Sequence, residues 1–532
     1  MKKILTIFAF ALLLISCQQG VQGKNQVIEN QSPTEDDSSF FKQALISIKA
    51  EEARDVQNKD MYTLPPYSIG YQAEPSDNGV ISAFAVKKGN LSDDLAGYKH
   101  EYALQLTRAL DWYDENGNEQ KGAFRRYGAD GGEKVIVAII DSGINGNHTD
   151  FKRNGESILL YHAKSSKTGD ISFNNKTYNS DTLSGHGTHC AGSICAVADN
   201  KVGISGAAGG VKKLQLIAYS VMPTGTATST QIYSGLEHLA KVVAYLREDP
   251  ATRVKPTGLN LPPDVPSDFQ ITQATVPVSM SLGGSGLDPY QCEVLQKVFD
   301  AGILPIIALG NDSVYRTAYP ASIYGSVMVS ACTRHDRRAD FTNANPLTTV
   351  TSPGFNIISC LNEGTDGVQF MSGTSMATPF VSGAVSYLLS FPEAQSLKPY
   401  EIKRLLEITS DRVDTEHPTY GSYDRDGFSA YYGAGRINVL RMIEYLKDPN
   451  KRAQAQDYYL NEPYTVKTST SVRIYLYDTE KKIFLSNVGT TGKGTEYYFK
   501  FYGLVKGRKY EIITYDGKRH AFTAGEEWNY SF

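Results

Sequence analysis

The chain has 532 residues, 41% hydrophobic and 21% charged, the balance of a globular protein long enough for several folding units. Its 53 basic and 57 acidic residues leave a net charge of −4, so no basic field draws it to nucleic acid, and the apolar content excludes a disordered or fibrous chain. The 34 Tyr and 21 Phe, against 2 Trp, point to aromatic β-structure somewhere along it.

At the amino end, Lys2 and Lys3 precede an apolar run over residues 4–15. That run falls well short of the roughly 20 residues a membrane-spanning helix needs, and a basic start with a short apolar stretch is the pattern of a secretory signal. It closes in Leu14-Ile15-Ser16-Cys17, which resembles a bacterial lipoprotein signal. The resemblance implies a signal over residues 1–17, lipid on Cys17, and a protein exported to the bacterial cell envelope and anchored to membrane or cell surface. Without Cys17, five cysteines remain (190, 195, 292, 332 and 360), with no CxxC pair. Cys190 and Cys195 are five apart on an expected helix and face different sides, which argues against a bridge between them. Residues 18–38 are polar and turn-rich and read as a flexible tether. Residues 39–95 mix helix-like and strand-like pieces, and read as a pro-segment or a small N-terminal domain.

Over residues 96–447 continuous apolar runs alternate with helical stretches. Val135-Ile136-Val137-Ala138-Ile139-Ile140, Leu214-Gln215-Leu216-Ile217-Ala218-Tyr219, Val276-Pro277-Val278-Ser279-Met280-Ser281-Leu282 and Ile303-Leu304-Pro305-Ile306-Ile307-Ala308-Leu309 read as buried parallel strands. Helices are expected over residues 231–246 and 292–301. The fold class is α/β, a parallel sheet with helices on both faces, whose chemistry gathers at the carboxyl ends of strands. Residues 247–274 carry five prolines and read as an insertion loop with the reach to crowd a cleft. Residues 447–451 read as a linker, and residues 455–532 as a small all-β domain of sandwich type.

Three segments could carry chemistry. Ile140-Asp141-Ser142-Gly143 puts a carboxylate at a strand end, Gly185-His186-Gly187-Thr188 opens a helix with an imidazole, and Ser372-Gly373-Thr374-Ser375 opens another with a hydroxyl. Each alone reads as a cap or turn. Together they supply a nucleophile, a base to activate it and a carboxylate to hold that base in one tautomer. A helix-start amide at Ser375 and the side chain of Asn311, just past a strand, would complete an oxyanion site.

On these motifs the chain resembles the subtilisin family (subtilases) of serine peptidases, across about residues 98–446, with the triad in the order Asp, His, Ser. The resemblance implies a serine endopeptidase working through an acyl-enzyme on protein or peptide substrates. Asp141 would orient, His186 act as base and acid, Ser375 attack, and Asn311 stabilise the oxyanion. It implies that Ser281, Leu282 and Gly283 line a substrate-binding strand, that Gly310 and Ala318 border the primary pocket, and that residues 432–438 close the domain. It also implies that the N-terminal segment occupies the cleft until processing, which would release the enzyme from its lipid. Leu282 stands where the family often has Trp, and Leu309 where a small residue usually precedes Gly-Asn. No acidic residue is evident near Ala318, so an apolar or aromatic residue before the cut is expected. Cys190, one turn after His186, reads as a small buried residue with no nucleophilic role. No cofactor or metal is needed for catalysis, although Asp150 and Asn200 match a structural calcium site of some relatives. The other reading is a catalytically inactive surface lipoprotein that binds protein or polysaccharide through its C-terminal domain. The sequence leaves oligomeric state open.

Overall fold

In the computed structural model the described residues are 62–63, 68–69, 102–114, 116–284, 289–315, 319–417, 420–493 and 496–532. Cys17 and Ala318 lie outside them. Two short strands come first, β1 (Tyr62–Thr63) and β2 (Ser68–Ile69). The run ending in Asp141 becomes β3 (Val135–Asp141), buried along its whole length. Its alternate side chains part between two cores: Val135, Val137 and Ile139 face one, Ile136, Ala138 and Ile140 the other. A strand apolar on both sides needs cover on both sides, and helices provide it.

The chain continues through β4 (Leu159–Ser165), β5 (Ile171–Asn174), α1 (His186–Cys195), β6 (Leu214–Ser220), β7 (Thr226–Ala227) and α2 (Ser229–Arg247). Then follow β8 (Val276–Met280), α3 (Pro289–Asp300), β9 (Ile303–Ala308), β10 (Val327–Cys332), β11 (Val350–Pro353), β12 (Ile357–Cys360), β13 (Val368–Ser372) and α4 (Thr374–Leu389). The main sheet has eight strands in the order β11-β10-β9-β8-β3-β6-β4-β5. Every pair is parallel except β4 with β5 at the edge. Helix α2 starts two residues before the expected span because Thr228 and Gln231 form a capping box. The segment 432–438 closes the domain against β11, through Val350 with Gly433 and Thr351 with Arg436.

The proline-rich loop does not crowd the cleft. Gln273 clasps the backbone of Ile136 at the amino-terminal end of β3, donating at 2.8 Å and accepting at 2.7 Å. The carbonyl of Asn260 meets His238 on α2, and its side chain reaches Ile171 on the edge strand. These contacts hold the loop along α2 and the outer sheet edge, and the polar groups of a long structureless stretch are satisfied there.

Helices α5 (Pro399–Thr409), α6 (Val439–Lys447) and α7 (Pro449–Gln456) lead out of this region. Residues 447–451 are not an open linker, because Asp448 accepts the amides of Asn450 and Lys451 and starts α7 at once. The remainder is β14 (Tyr464–Thr468), β15 (Arg473–Asp478), β16 (Ile483–Gly489), β17 (Thr491–Lys493), β18 (Glu496–Phe501), β19 (Lys509–Thr514), β20 (Arg519–Thr523) and β21 (Asn529–Ser531). They form two four-stranded sheets, β17-β18-β14-β21 and β16-β15-β19-β20. Tyr464 of one stacks on Phe522 of the other, centroids 3.8 Å apart. Their apolar side chains belong to the same core as α2, α3 and the even side of β3, so this sandwich is built onto the α/β region. The five cysteines described are all buried, and no disulfide joins any two of them.

Candidate active site

Asp141 ends β3, at the carboxyl edge of the sheet, with Ser220 opposite it on β6. Its Oδ1 accepts His186 Nδ1 at 2.7 Å and the amide of Ser142 at 2.7 Å. His186 is the first residue of α1, and that helix comes close enough to the Asp141 turn that a Cβ on Gly187 would stand 2.1 Å from the carbonyl of Gly143. Glycine at 187 is what permits the imidazole to reach the carboxylate. Both residues are buried, and so is Ser375. Burial alone would push the His186 pKa down, but the charge and hydrogen bond of Asp141 carry it well above 6.5. The Asp141 carboxylate thus stabilises the imidazolium that would form if this group took up a proton.

Ser375 is the second residue of α4, one turn along from β13. Its Oγ has no hydrogen-bond partner among the described residues, so the bond to His186 is open in this state. Catalytic hydrogen bonds commonly tighten only with substrate in place. Asn311 follows β9, and its side-chain oxygen accepts both the amide and the hydroxyl of Thr374 at 2.8 Å. Fixing the oxygen there turns the amide nitrogen to the other side, the orientation an oxyanion donor needs. The Thr374 hydroxyl also accepts the amide of Gly310 at 3.1 Å, so one threonine clamps the Asn311 loop to the start of α4.

The expected substrate-binding residues divide. Ser281 is buried with its hydroxyl donated to the carbonyl of Ser375 at 2.9 Å. Leu282 is fully buried in the core. Gly283 is partly exposed, and the next residue, Gly284, exchanges both backbone hydrogen bonds with Tyr319. Cys190 donates its thiol to the carbonyl of Ser375 at 3.3 Å, and burial raises its pKa, so it is a neutral packing group.

The calcium expectation does not survive the donors around Asp150. Its Oδ1 accepts the Asn200 side-chain NH2 at 3.1 Å, and its Oδ2 accepts the amide of Ile204 at 3.0 Å and the thiol of Cys360 at 3.5 Å. A hard cation takes six to eight oxygens, and these are N–H and S–H groups aimed at a carboxylate. His148 beside them is also engaged, Nδ1 with the amide of Asp150 and Nε2 with the carbonyl of Gly367.

Sequence reasoning did not find Thr374, Ser142 or Asp181. The first two lay inside motifs read for their neighbours. Asp181 stands five residues before His186 in a polar stretch with no pattern of its own.

Comparison with known proteins agrees with this geometry. The sequence profile of the Subtilase family matches residues 132–435, more than half of the chain. A subtilisin-like protease of Coccidioides posadasii is 31% identical over 355 residues, covering 63% of this chain and 62% of its own. Subtilisin-like serine protease Cur l 4.0101 of Cochliobolus lunatus is 32% identical over 328 residues, 60% of this chain and 56% of that one. The chain thus spans less than two thirds of these relatives' length. Among solved structures, fervidolysin of Fervidobacterium pennivorans, described as a keratinolytic enzyme related to subtilisin, shares the fold with a TM-score of 0.59. It is 16% identical and covers 89% of this chain and 68% of its own.

Proposed function

The chain belongs to the subtilase family of serine peptidases, and from that premise we propose that it hydrolyses peptide bonds of proteins by an Asp141–His186–Ser375 triad. The observation that carries the reading is the 2.7 Å bond from His186 to Asp141 at a strand end, with Ser375 opening the adjoining helix α4. His186 Nε2 takes the proton of Ser375 Oγ as that oxygen attacks the scissile carbonyl. The amide of Ser375, at the positive end of α4, and Asn311 face the oxyanion. The tetrahedral adduct collapses as His186 hands the proton to the leaving amine. Water, deprotonated by the same imidazole, then cleaves the acyl-enzyme. No step calls for a metal.

The N-terminal segment is proposed to hold the enzyme inactive. Strand β1 pairs antiparallel with β7, Tyr62 opposite Ala227, and β2 pairs antiparallel with β13, Ser68 opposite Ser372. Strand β13 runs straight into the Ser375 turn, while β7 follows β6, whose end lies against Asp141. Backbone pairing of this kind is how a protease holds an extended peptide. The full burial of Ser375 fits a closed cleft. With the lipoprotein-like sequence around Cys17, this makes an envelope-tethered zymogen released by one cut.

A fluorophosphonate probe tests both parts. Wild type should label only after losing residues up to about 95, and Ser375→Ala should never label. Strong labelling of the full-length chain would reject the zymogen, and absence of labelling in processed wild type would reject the peptidase.

A further inference from the structure

We propose that Asp181 is a positioning residue for the Asp141–His186 pair, acting through Ser142. This rests on the triad reading above. Asp181 is fully buried. Its Oδ1 accepts the hydroxyl of Ser142 at 2.7 Å. Its Oδ2 accepts both the amide and the hydroxyl of Thr188, at 2.9 and 2.7 Å. Ser142 in turn gives its amide to Asp141 Oδ1 and accepts the amide of Gly187 at 2.9 Å. One side chain thus ties the carboxylate turn to the residue next to His186, and a buried carboxylate holds that side chain in place.

The arrangement answers a need of α1. The helix begins at Gly185 in a left-handed turn whose N-cap offers no side chain, so its first amides must find partners outside the helix. Ser142 takes the amide of Gly187 and Asp181 takes that of Thr188, and a negative charge is favoured at that end of a helix. All of the hydrogen bonds into the Asp181 carboxylate come from donors, so the ionised form is the one that fits. Burial raises its pKa to about 6, which leaves it charged in neutral and alkaline solution. An ordinary helix cap would need one of these bonds. The bond to Ser142 is the one that reaches the catalytic carboxylate.

The experiment compares processed wild type, Asp181→Asn and Ser142→Ala, each counted by fluorophosphonate titration, with kcat and KM measured on a peptide substrate and a thermal melt for each. In Asp181→Asn the NH2 that turns to Ser142 takes away the acceptor of that hydroxyl's proton, and the Asp141 turn shifts. Misplacement of that order should lower kcat per titrated site by at least about tenfold with KM within about twofold of wild type. Ser142→Ala should do the same while leaving the Thr188 bonds intact. A melt that falls while kcat per titrated site stays at the wild-type value would make Asp181 only a cap and overturn the proposal. If Asp181→Asn fails to fold, Ser142→Ala decides by the same criterion. Failure of wild type to label would instead mark failure of the triad reading.

Discussion

Pro379 leaves the carbonyl of Ser375 without the amide a helix would normally offer it from four residues on, and Ser281 and Cys190 donate to it instead. A proline in the first turns of α4 thus turns the nucleophile's own carbonyl into an anchor. It ties Ser375 to the end of the segment leaving β8 and to the helix that carries His186. Ser281→Ala removes the stronger of the two donors. A buried carbonyl that loses its partner costs about 1–3 kcal/mol, which should appear as a lower melting temperature and a reduced kcat. Unchanged values for both would mean that the thiol of Cys190 alone suffices.

The activity should rise with pH. With neutral imidazole as the base in the proposed triad, and the Asp141 charge keeping the His186 pKa well above 6.5, kcat/KM should climb along a limb whose midpoint lies above 6.5. The same shift sets a stability slope. A histidine raised in the folded state contributes fully below its unfolded pKa of about 6.5, and that contribution fades as pH rises through the folded value. The enzyme should therefore be less stable where it is most active. Asp141→Asn should move the limb down and cut turnover by about 10⁴, by analogy with a triad left with the wrong tautomer. A limb that stays in place in this variant would remove Asp141 from the pair.

Asn311→Ala should lower kcat by about 10²–10³ with little change in KM, the usual cost of one oxyanion donor. The clamp by Thr374 adds a second expectation. Thr374→Val loses the hydroxyl that holds the Asn311 oxygen but keeps the amide, so its defect should be smaller than that of Asn311→Ala. A Thr374→Val defect as large as that of Asn311→Ala would mean that the hydroxyl, and not the amide, sets the orientation.

How far the sequence was readable depends on what each residue answers to. The central strands β3, β6, β8 and β9 are buried on both faces or nearly so, and their apolar runs mark them to within one or two residues, as at Val135–Asp141. Asp141, His186 and Ser375 sit in glycine-flanked turns at strand and helix ends, where the chemistry and the local backbone rule leave the same signature. Ser281 and Leu282 turn their side chains inward, a detail that a strand's end does not signal, and it leaves their backbone as the part that could meet a substrate. The Asp150 loop resembled a cation site since Asp and Asn serve turns and ions alike. Asp181 acts only through contacts distant in sequence, with Ser142 and Thr188, and no local pattern records those.

The Asp150 loop gives a last test, of metal dependence. Gly203 has a φ of +57°, and a Cβ there would stand 1.9 Å from Asp150 Oδ2. The loop folds this tightly because the amide of Ile204 and the side chain of Asn200 bond the carboxylate directly. A bound ion would have to break those bonds and find oxygens to replace them. Adding calcium or a chelator should therefore leave the melting temperature of the processed enzyme within about 1 °C, a shift of no more than about 1 kcal/mol for a chain of this size. Gly203→Ala, by contrast, must strain a left-handed residue and displace a buried carboxylate, and should cost about 1–3 kcal/mol without altering kcat per titrated site. A large calcium-dependent rise in melting temperature would show that Asp150 trades its protein donors for a cation, and would return the loop to the role its sequence suggests.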